Sequence, residues 1–231
     1  MKPRYSPEEA RRVMGRWATF LAACFVLTVV LNLSFSRYLV AQREGDPDTH
    51  LNRAESRMAA LDLKGALVSV ENAMDRAPLY PRAHKVHGDI LFKQEDWKNA
   101  EIAYRKCLNL GGGYEGVQNN ILWSLIMQEA YDEAVGLGRE FLAGREPSRL
   151  VPRYVAEACL RAGRWSDAAD YLRQALEPNP REPYLLNRLR QAYNKLGMKT
   201  EEDRVLALLN EVEMAQEKEQ VLTQLPVDAR E

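Results

Sequence analysis

Two histidines are the side chains in this sequence whose type and spacing best suit chemistry. His84 and His87 lie three positions apart, so a helix would place both imidazoles on one face. A zinc site needs further ligands, and no third ligand stands at a suitable spacing. We therefore expect packed or half-buried histidines without a metal ion.

Motifs for other kinds of catalysis are missing from the sequence. It contains no nucleophile elbow, no zinc-protease motif and no Cys-X-X-Cys pair. The glycine cluster at 111–113 lacks the following Lys-Ser or Lys-Thr pair that a phosphate-binding loop requires. We predict that the protein is not an enzyme and holds no cofactor.

Composition argues against two further classes. The cysteines are few, odd in number and widely spaced, at Cys24, Cys107 and Cys159, which does not fit a disulfide framework. The chain has 32 lysines and arginines against 33 aspartates and glutamates, for a formal net charge of −1. Because phosphate binding needs a basic excess, we expect no nucleic-acid partner.

A small residue recurs every 34 positions along most of the chain, at Ala66, Ala100, Ala134 and Ala168. Tyr104 and Cys107 follow the second of these alanines at the spacing of one helix face, and comparable residues follow the others. Pro78, Pro147 and Pro180 stand where the corresponding helices should end. The period predicts a repeat protein made of helices.

This 34-residue period resembles that of the tetratricopeptide repeat (TPR) family, whose unit is a helix–turn–helix. The resemblance covers roughly residues 47–210 and includes small residues in three first helices, namely Ala54, Gly88 and Ala156. Turn glycines occur at Gly163 and Gly197. The resemblance implies an all-α fold, a TPR-type α-solenoid of about five helical hairpins.

The same resemblance explains three unusual positions. His84 and His87 occupy first-helix positions that hold large inward-facing residues in the family. In the fifth unit Glu202 stands where the small alanine is expected. We interpret that unit as a terminal cap, because no further hairpin has to pack against it.

An uncharged apolar run from Trp17 to Phe35 is about long enough to cross a bilayer. Trp17 and Tyr38 bracket it, as amphipathic aromatic residues do at membrane interfaces. We predict one transmembrane helix ahead of the solenoid. Basic residues dominate the segment before the span, at Lys2, Arg4, Arg11, Arg12 and Arg16. The positive-inside rule then predicts a cytoplasmic N-terminus and periplasmic repeats, in a single-pass protein of a bacterial inner membrane.

Two processing alternatives stay open for this segment. Ser34 and Ser36 form a small-residue site at which a signal peptidase could cleave. The run Leu21-Ala-Ala-Cys24 resembles a lipobox, in which the cysteine becomes acylated.

The predicted organisation has five parts. Residues 1–16 form a cytoplasmic segment and residues 17–38 the transmembrane helix. Residues 39–47 are a linker, and residues 48–210 are the TPR domain. Residues 211–231 form a C-terminal helical extension and tail.

The family resemblance also implies a partner site, since the first helices of TPR hairpins line a concave groove. The family positions that face this groove correspond to Lys85, Phe92, Lys93, Asn119, Trp123, Ile126, Met127, Arg153, Leu160, Arg161 and Asn194. The middle of this set is apolar and aromatic, whereas its margins are basic or carry amides. Such a surface suits a protein or peptide partner with an apolar anchor and acidic flanks.

The function expected from these features is that of a membrane-anchored scaffold or adaptor. It would bind protein partners in its groove during assembly of an envelope complex. One alternative is a structural accessory subunit that docks into a membrane complex through its transmembrane helix. A second alternative is a TPR receptor that faces the cytosol.

Overall fold

The computed structural model describes residues 46–114 and 116–224 of the chain, with side chains up to residue 218. Ten helices and no strand occur in these residues. The predicted transmembrane helix, the cytoplasmic segment and Cys24 lie outside them. Among the described residues, no helix combines the length and the apolar character that crossing a membrane requires.

The helices follow one another with short connections. They are α1 (Pro47–Ala59), α2 (Leu63–Arg76), α3 (Pro81–Lys93), α4 (Trp97–Asn109), α5 (Val117–Met127), α6 (Tyr131–Ala143), α7 (Val151–Arg161), α8 (Trp165–Leu176), α9 (Pro183–Leu196) and α10 (Lys199–Gln224). Consecutive helices pack against each other, and they form five hairpins in the described chain. The odd-numbered helices are the first helices of the hairpins.

The turn inside each hairpin contains one residue in the left-handed backbone conformation. These residues are again spaced by 34 positions, with φ between 61° and 71°, and they are Leu61, Glu95, Glu129, Gly163 and Gly197. Left-handed backbone costs a residue with a Cβ atom about 1–2 kcal/mol. Only two of the five turns carry the glycine that local sequence would favour, so packing of the flanking helices imposes the same turn on the other three.

Small residues allow the helices of the solenoid to approach closely. The four periodic alanines are at most 1 % exposed, at Ala66, Ala100, Ala134 and Ala168. A Cβ atom on Gly88 would lie 2.7 Å from the Tyr104 ring, and one on Gly138 would lie 2.2 Å from Cγ2 of Val155. The repeated small positions therefore set the distance between neighbouring helices.

The last helix closes the stack. Val205, Leu209 and Val212 of α10 are buried. Glu202 is also buried, and one of its carboxylate oxygens accepts a hydrogen bond from Nδ2 of Asn194 at 3.1 Å. The fifth hairpin thus accommodates a charge at the small-residue position by hydrogen bonding, because a buried carboxylate needs polar partners.

Candidate partner-binding groove

The first helices α3, α5, α7 and α9 together form a groove with a cavity of about 410 Å³. Its walls carry aromatic, amide and charged side chains, namely Phe92, Asn120, Trp123, Arg153, Tyr154, Glu157 and Tyr184. Because four successive hairpins contribute to it, the cavity exists only when the hairpins stack. We call this surface the groove.

Aromatic rings form the apolar centre of the groove. The rings of Trp123 and Tyr154 meet edge to face, with 6.1 Å between their centroids. Phe92 packs edge to face on Trp97 at 5.0 Å and lies 6.4 Å from Tyr104. Phe92 and Trp123 are half-buried, so their rings contact the core on one side and the groove on the other.

Beneath the rings, a hydrogen-bond network joins α3, α4 and α5. The hydroxyl of Tyr104 donates to Asp89 at 2.9 Å and accepts from Nδ2 of Asn120 at 3.0 Å. Lys85 donates to the other carboxylate oxygen of Asp89 at 2.6 Å. Burial, reinforced by the Asp89 carboxylate, raises the pKa of Tyr104, so its hydroxyl keeps the proton that it donates.

Arginines surround a buried carboxylate at the C-terminal end of the groove. Glu157 accepts a hydrogen bond from Nε of Arg161 at 2.9 Å and lies 3.5 Å from Arg188. Arg153 pairs with Glu182 at 3.1 Å, and its guanidinium stands 4.7 Å above the centroid of the Tyr184 ring. Arg188 stands 5.3 Å from the same centroid. This end of the groove is therefore cationic and aromatic.

The structure brings several of the predicted residues to the groove. Trp123 and Arg153 line its cavity together with Phe92, and Arg161 lies 5.7 Å from the centroid of the Trp123 ring. Lys85 is close by but is paired with Asp89. All of these residues stay within the surface that we propose for partner binding.

Other predicted residues lie elsewhere or have little exposed surface. Ile126 is fully buried and Leu160 is 8 % exposed, so both belong to the core, and the proposed surface leaves them out. Asn119 is 5 % exposed and lines a separate cavity between the α4–α5 and α6–α7 connections. Met127 and Lys93 are exposed at the ends of their helices. Asn194 donates its amide hydrogen to Glu202 near the last turn of the solenoid.

The prediction from sequence missed several residues at the groove, among them Asn120, Tyr154, Tyr184 and Arg188. Asn120 and Tyr154 are 34 residues apart, one position after Asn119 and Arg153. One helix position corresponds to 100° of rotation, so Asn120 faces the groove whereas Asn119 lines a separate cavity. Tyr184 and Arg188 stand four residues apart on α9, a spacing that could have indicated an aromatic–cation pair.

The two histidines pack into the second hairpin. His84 is 1 % exposed, and its Nε2 lies 2.8 Å from the carbonyl oxygen of Pro78, which makes Nε2–H the donor. His87 is half-buried beside Met74 and Ile102. Burial, with a further effect of His84, lowers the pKa of His87. No group of three potential metal ligands occurs in the described part of the chain.

Known proteins resemble this chain in structure, whereas comparisons of sequence find no match. No protein-family model matches the chain, and no curated protein matches it. Solved structures of TPR proteins do match, and they share 14–18 % sequence identity in the three examples given below.

One similar structure is YrrB, a TPR protein with an unusual peptide-binding site, with a TM-score of 0.63 and 14 % identity over 76 % of this chain and 91 % of YrrB. Another is PilW, a widely conserved type IV pilus biogenesis factor, with a TM-score of 0.59 and 18 % identity over 72 % of this chain and 77 % of PilW. MamA from Desulfovibrio magneticus RS-1 has a TM-score of 0.63 and 14 % identity over 75 % of this chain and 96 % of MamA.

These likenesses confirm the predicted class of fold. The described residues form an all-α, TPR-like solenoid of helical hairpins.

Proposed function

We propose that this protein is a membrane-anchored scaffold or adaptor that holds a protein partner in its groove. The observation that carries the proposal is the cavity of about 410 Å³ that four first helices build mainly from aromatic side chains, together with Asn120, Arg153 and Glu157. Tryptophan, tyrosine and arginine are the residues that most often dominate the energy of protein interfaces. Solved structures with the same fold include a protein described by its peptide-binding site.

We place the groove on the periplasmic side of a bacterial inner membrane, where the partner would belong to an envelope complex under assembly. The support is the apolar run from Trp17 to Phe35 and the basic residues before it. A pilus biogenesis factor is among the proteins with the same fold, which agrees with a role in envelope assembly.

A crosslinking pull-down from intact membranes tests the groove. Replacing Trp123 and Tyr154 with alanine removes both rings that meet at its centre, and we expect recovery of the partner to fall at least about tenfold. The matched control replaces Trp165 and Tyr171, which are half-buried on the second helix α8, with alanine. The control should retain the partner, since it loses the same two ring types outside the groove.

Persistence of the same partner with the Trp123→Ala, Tyr154→Ala variant would contradict the proposal. The accessory-subunit alternative would then gain support, since Ala18, Ala22 and Ala23 could allow close packing of the membrane helix.

A C-terminal reporter fusion in bacterial cells tests the side of the membrane. We expect an alkaline phosphatase fusion to be active, because that enzyme needs the oxidising periplasm to form its disulfides. A C-terminal fusion to green fluorescent protein should show no fluorescence. The reverse pattern would place the solenoid in the cytosol and support the receptor alternative.

A further inference from the structure

Three carboxylates in and beside the groove already accept hydrogen bonds from partners within the chain. Asp89 accepts from Lys85 and Tyr104, and Glu157 accepts from Arg161 and Tyr184. Glu182 accepts from Arg153. A partner that offers lysine or arginine would have to displace one of these contacts, so the acidic residues of the groove are poorly placed to recognise a cation.

Hydrogen-bond donors of the groove arginines, in contrast, outnumber the hydrogen bonds that these arginines make within the described chain. A guanidinium carries five N–H donors, and Arg153 and Arg161 each donate one hydrogen bond within the described chain. Three arginines, Arg153, Arg161 and Arg188, meet only two carboxylates at this end of the groove. The site therefore has one surplus positive charge and several unused donors, which only an acceptor can satisfy.

The guanidinium groups are also held in place before a partner arrives. Arg153 and Arg188 stack over Tyr184, and Arg161 lies over Trp123, at 4.7, 5.3 and 5.7 Å from the ring centroids. Because cation–π contacts and ion pairs already restrict these side chains, binding costs less rotamer entropy. The rings of Trp123 and Tyr184 themselves line the cavity.

We infer that the groove recognises a peptide segment in which a carboxylate side chain stands next to a large apolar side chain. The apolar side chain enters the cavity between Phe92, Trp123 and Tyr154. The carboxylate accepts charge-assisted hydrogen bonds from Arg153 and Arg188, which flank Tyr184. This inference rests on the proposed function, and it specifies the chemistry of the partner that the groove holds.

Selection from a randomised peptide-display library tests the inference with the full-length protein purified in mild detergent. We expect the selected peptides to be enriched in aspartate or glutamate beside leucine, phenylalanine or tryptophan. For the strongest peptide, replacing its acidic residue by the matching amide should weaken binding to the wild type at least about tenfold. The same replacement should have little effect on the Arg153→Gln, Arg188→Gln variant.

A matched control replaces Arg139 and Arg173, both exposed on second helices, with glutamine. This control loses the same charge outside the groove and should bind like the wild type. Selected peptides without acidic enrichment would overturn the inference and leave the proposed function standing. Failure to select any peptide would overturn the inference, and the crosslinking pull-down would then show whether partner binding in the groove fails as well.

Discussion

Replacing Tyr104 with alanine is expected to lower the free energy of unfolding by about 3–5 kcal/mol, the usual cost of removing a buried aromatic side chain. Tyr104 has no exposed surface and packs directly beneath Gly88 of the preceding helix. Its removal leaves a cavity between α3 and α4, and it also leaves Asp89 and Asn120 without their shared partner. Chemical denaturation followed by circular dichroism measures the effect.

The Tyr104→Phe variant separates packing from hydrogen bonding. It keeps the ring and removes only the hydroxyl, so we expect a loss of about 1–3 kcal/mol from the unsatisfied polar groups. If both variants were as stable as the wild type, the network beneath the groove would have no role in holding α3, α4 and α5 together. The phenylalanine variant is also the better one for binding assays, because its groove keeps its shape.

The second large effect concerns the reactivity of the buried cysteines. Cys107 and Cys159 have no exposed surface, and burial raises the pKa of each thiol from 9.0 to about 11. Since the thiolate is the reactive form, its fraction at pH 7 falls about 100-fold relative to an ordinary thiol. In a Cys24→Ser background, we expect alkylation by iodoacetamide to be at least about 100-fold slower in the native protein than in guanidinium chloride.

The raised pKa of the two thiols determines how both the stability of the protein and the alkylation rate change with pH. The folded protein holds the thiol protons more tightly than the unfolded chain, so this contribution to stability is complete below pH 9 and is lost as the pH rises through 11. The native alkylation rate should rise about tenfold per pH unit up to about pH 10 and level off above the pKa of about 11. Equal rates for native and denatured protein at pH 7 would show that the thiols are accessible and that the hairpin cores are open.

Much of the fold could be predicted from periodicity. The 34-residue recurrence of Ala66, Ala100, Ala134 and Ala168 indicated stacked helical hairpins, because only a small residue lets two helices approach at a repeated point of contact. The same recurrence places the hairpin turns, although Leu61, Glu95 and Glu129 lack the glycine that the turn conformation favours. In these three hairpins the packed helices override the preference of the turn residue.

The groove was only partly predictable. Trp123 and Arg153 lie where the repeat pattern implied, but Ile126 is fully buried and Asn119 faces a different cavity. Asn120, one position after Asn119, reaches the groove, and so does Tyr154, one position after Arg153. The repeat period specifies where a helix lies along the chain, whereas the rotation of that helix about its own axis depends on how neighbouring helices pack.

The ion pairs of the groove also could not be predicted from the sequence. The sequence shows that basic residues are frequent on the first helices, but the stacked structure decides which of them have partners. Lys85 is paired with Asp89 one turn away, while Arg153 reaches Glu182 in the next hairpin. The surplus of donors at one end of the groove exists because Arg153, Arg161 and Arg188 share only two carboxylates there. The sequence therefore determined the repeat, its length and the residue types available, and the packing of one hairpin on the next decided which side chains a partner can meet.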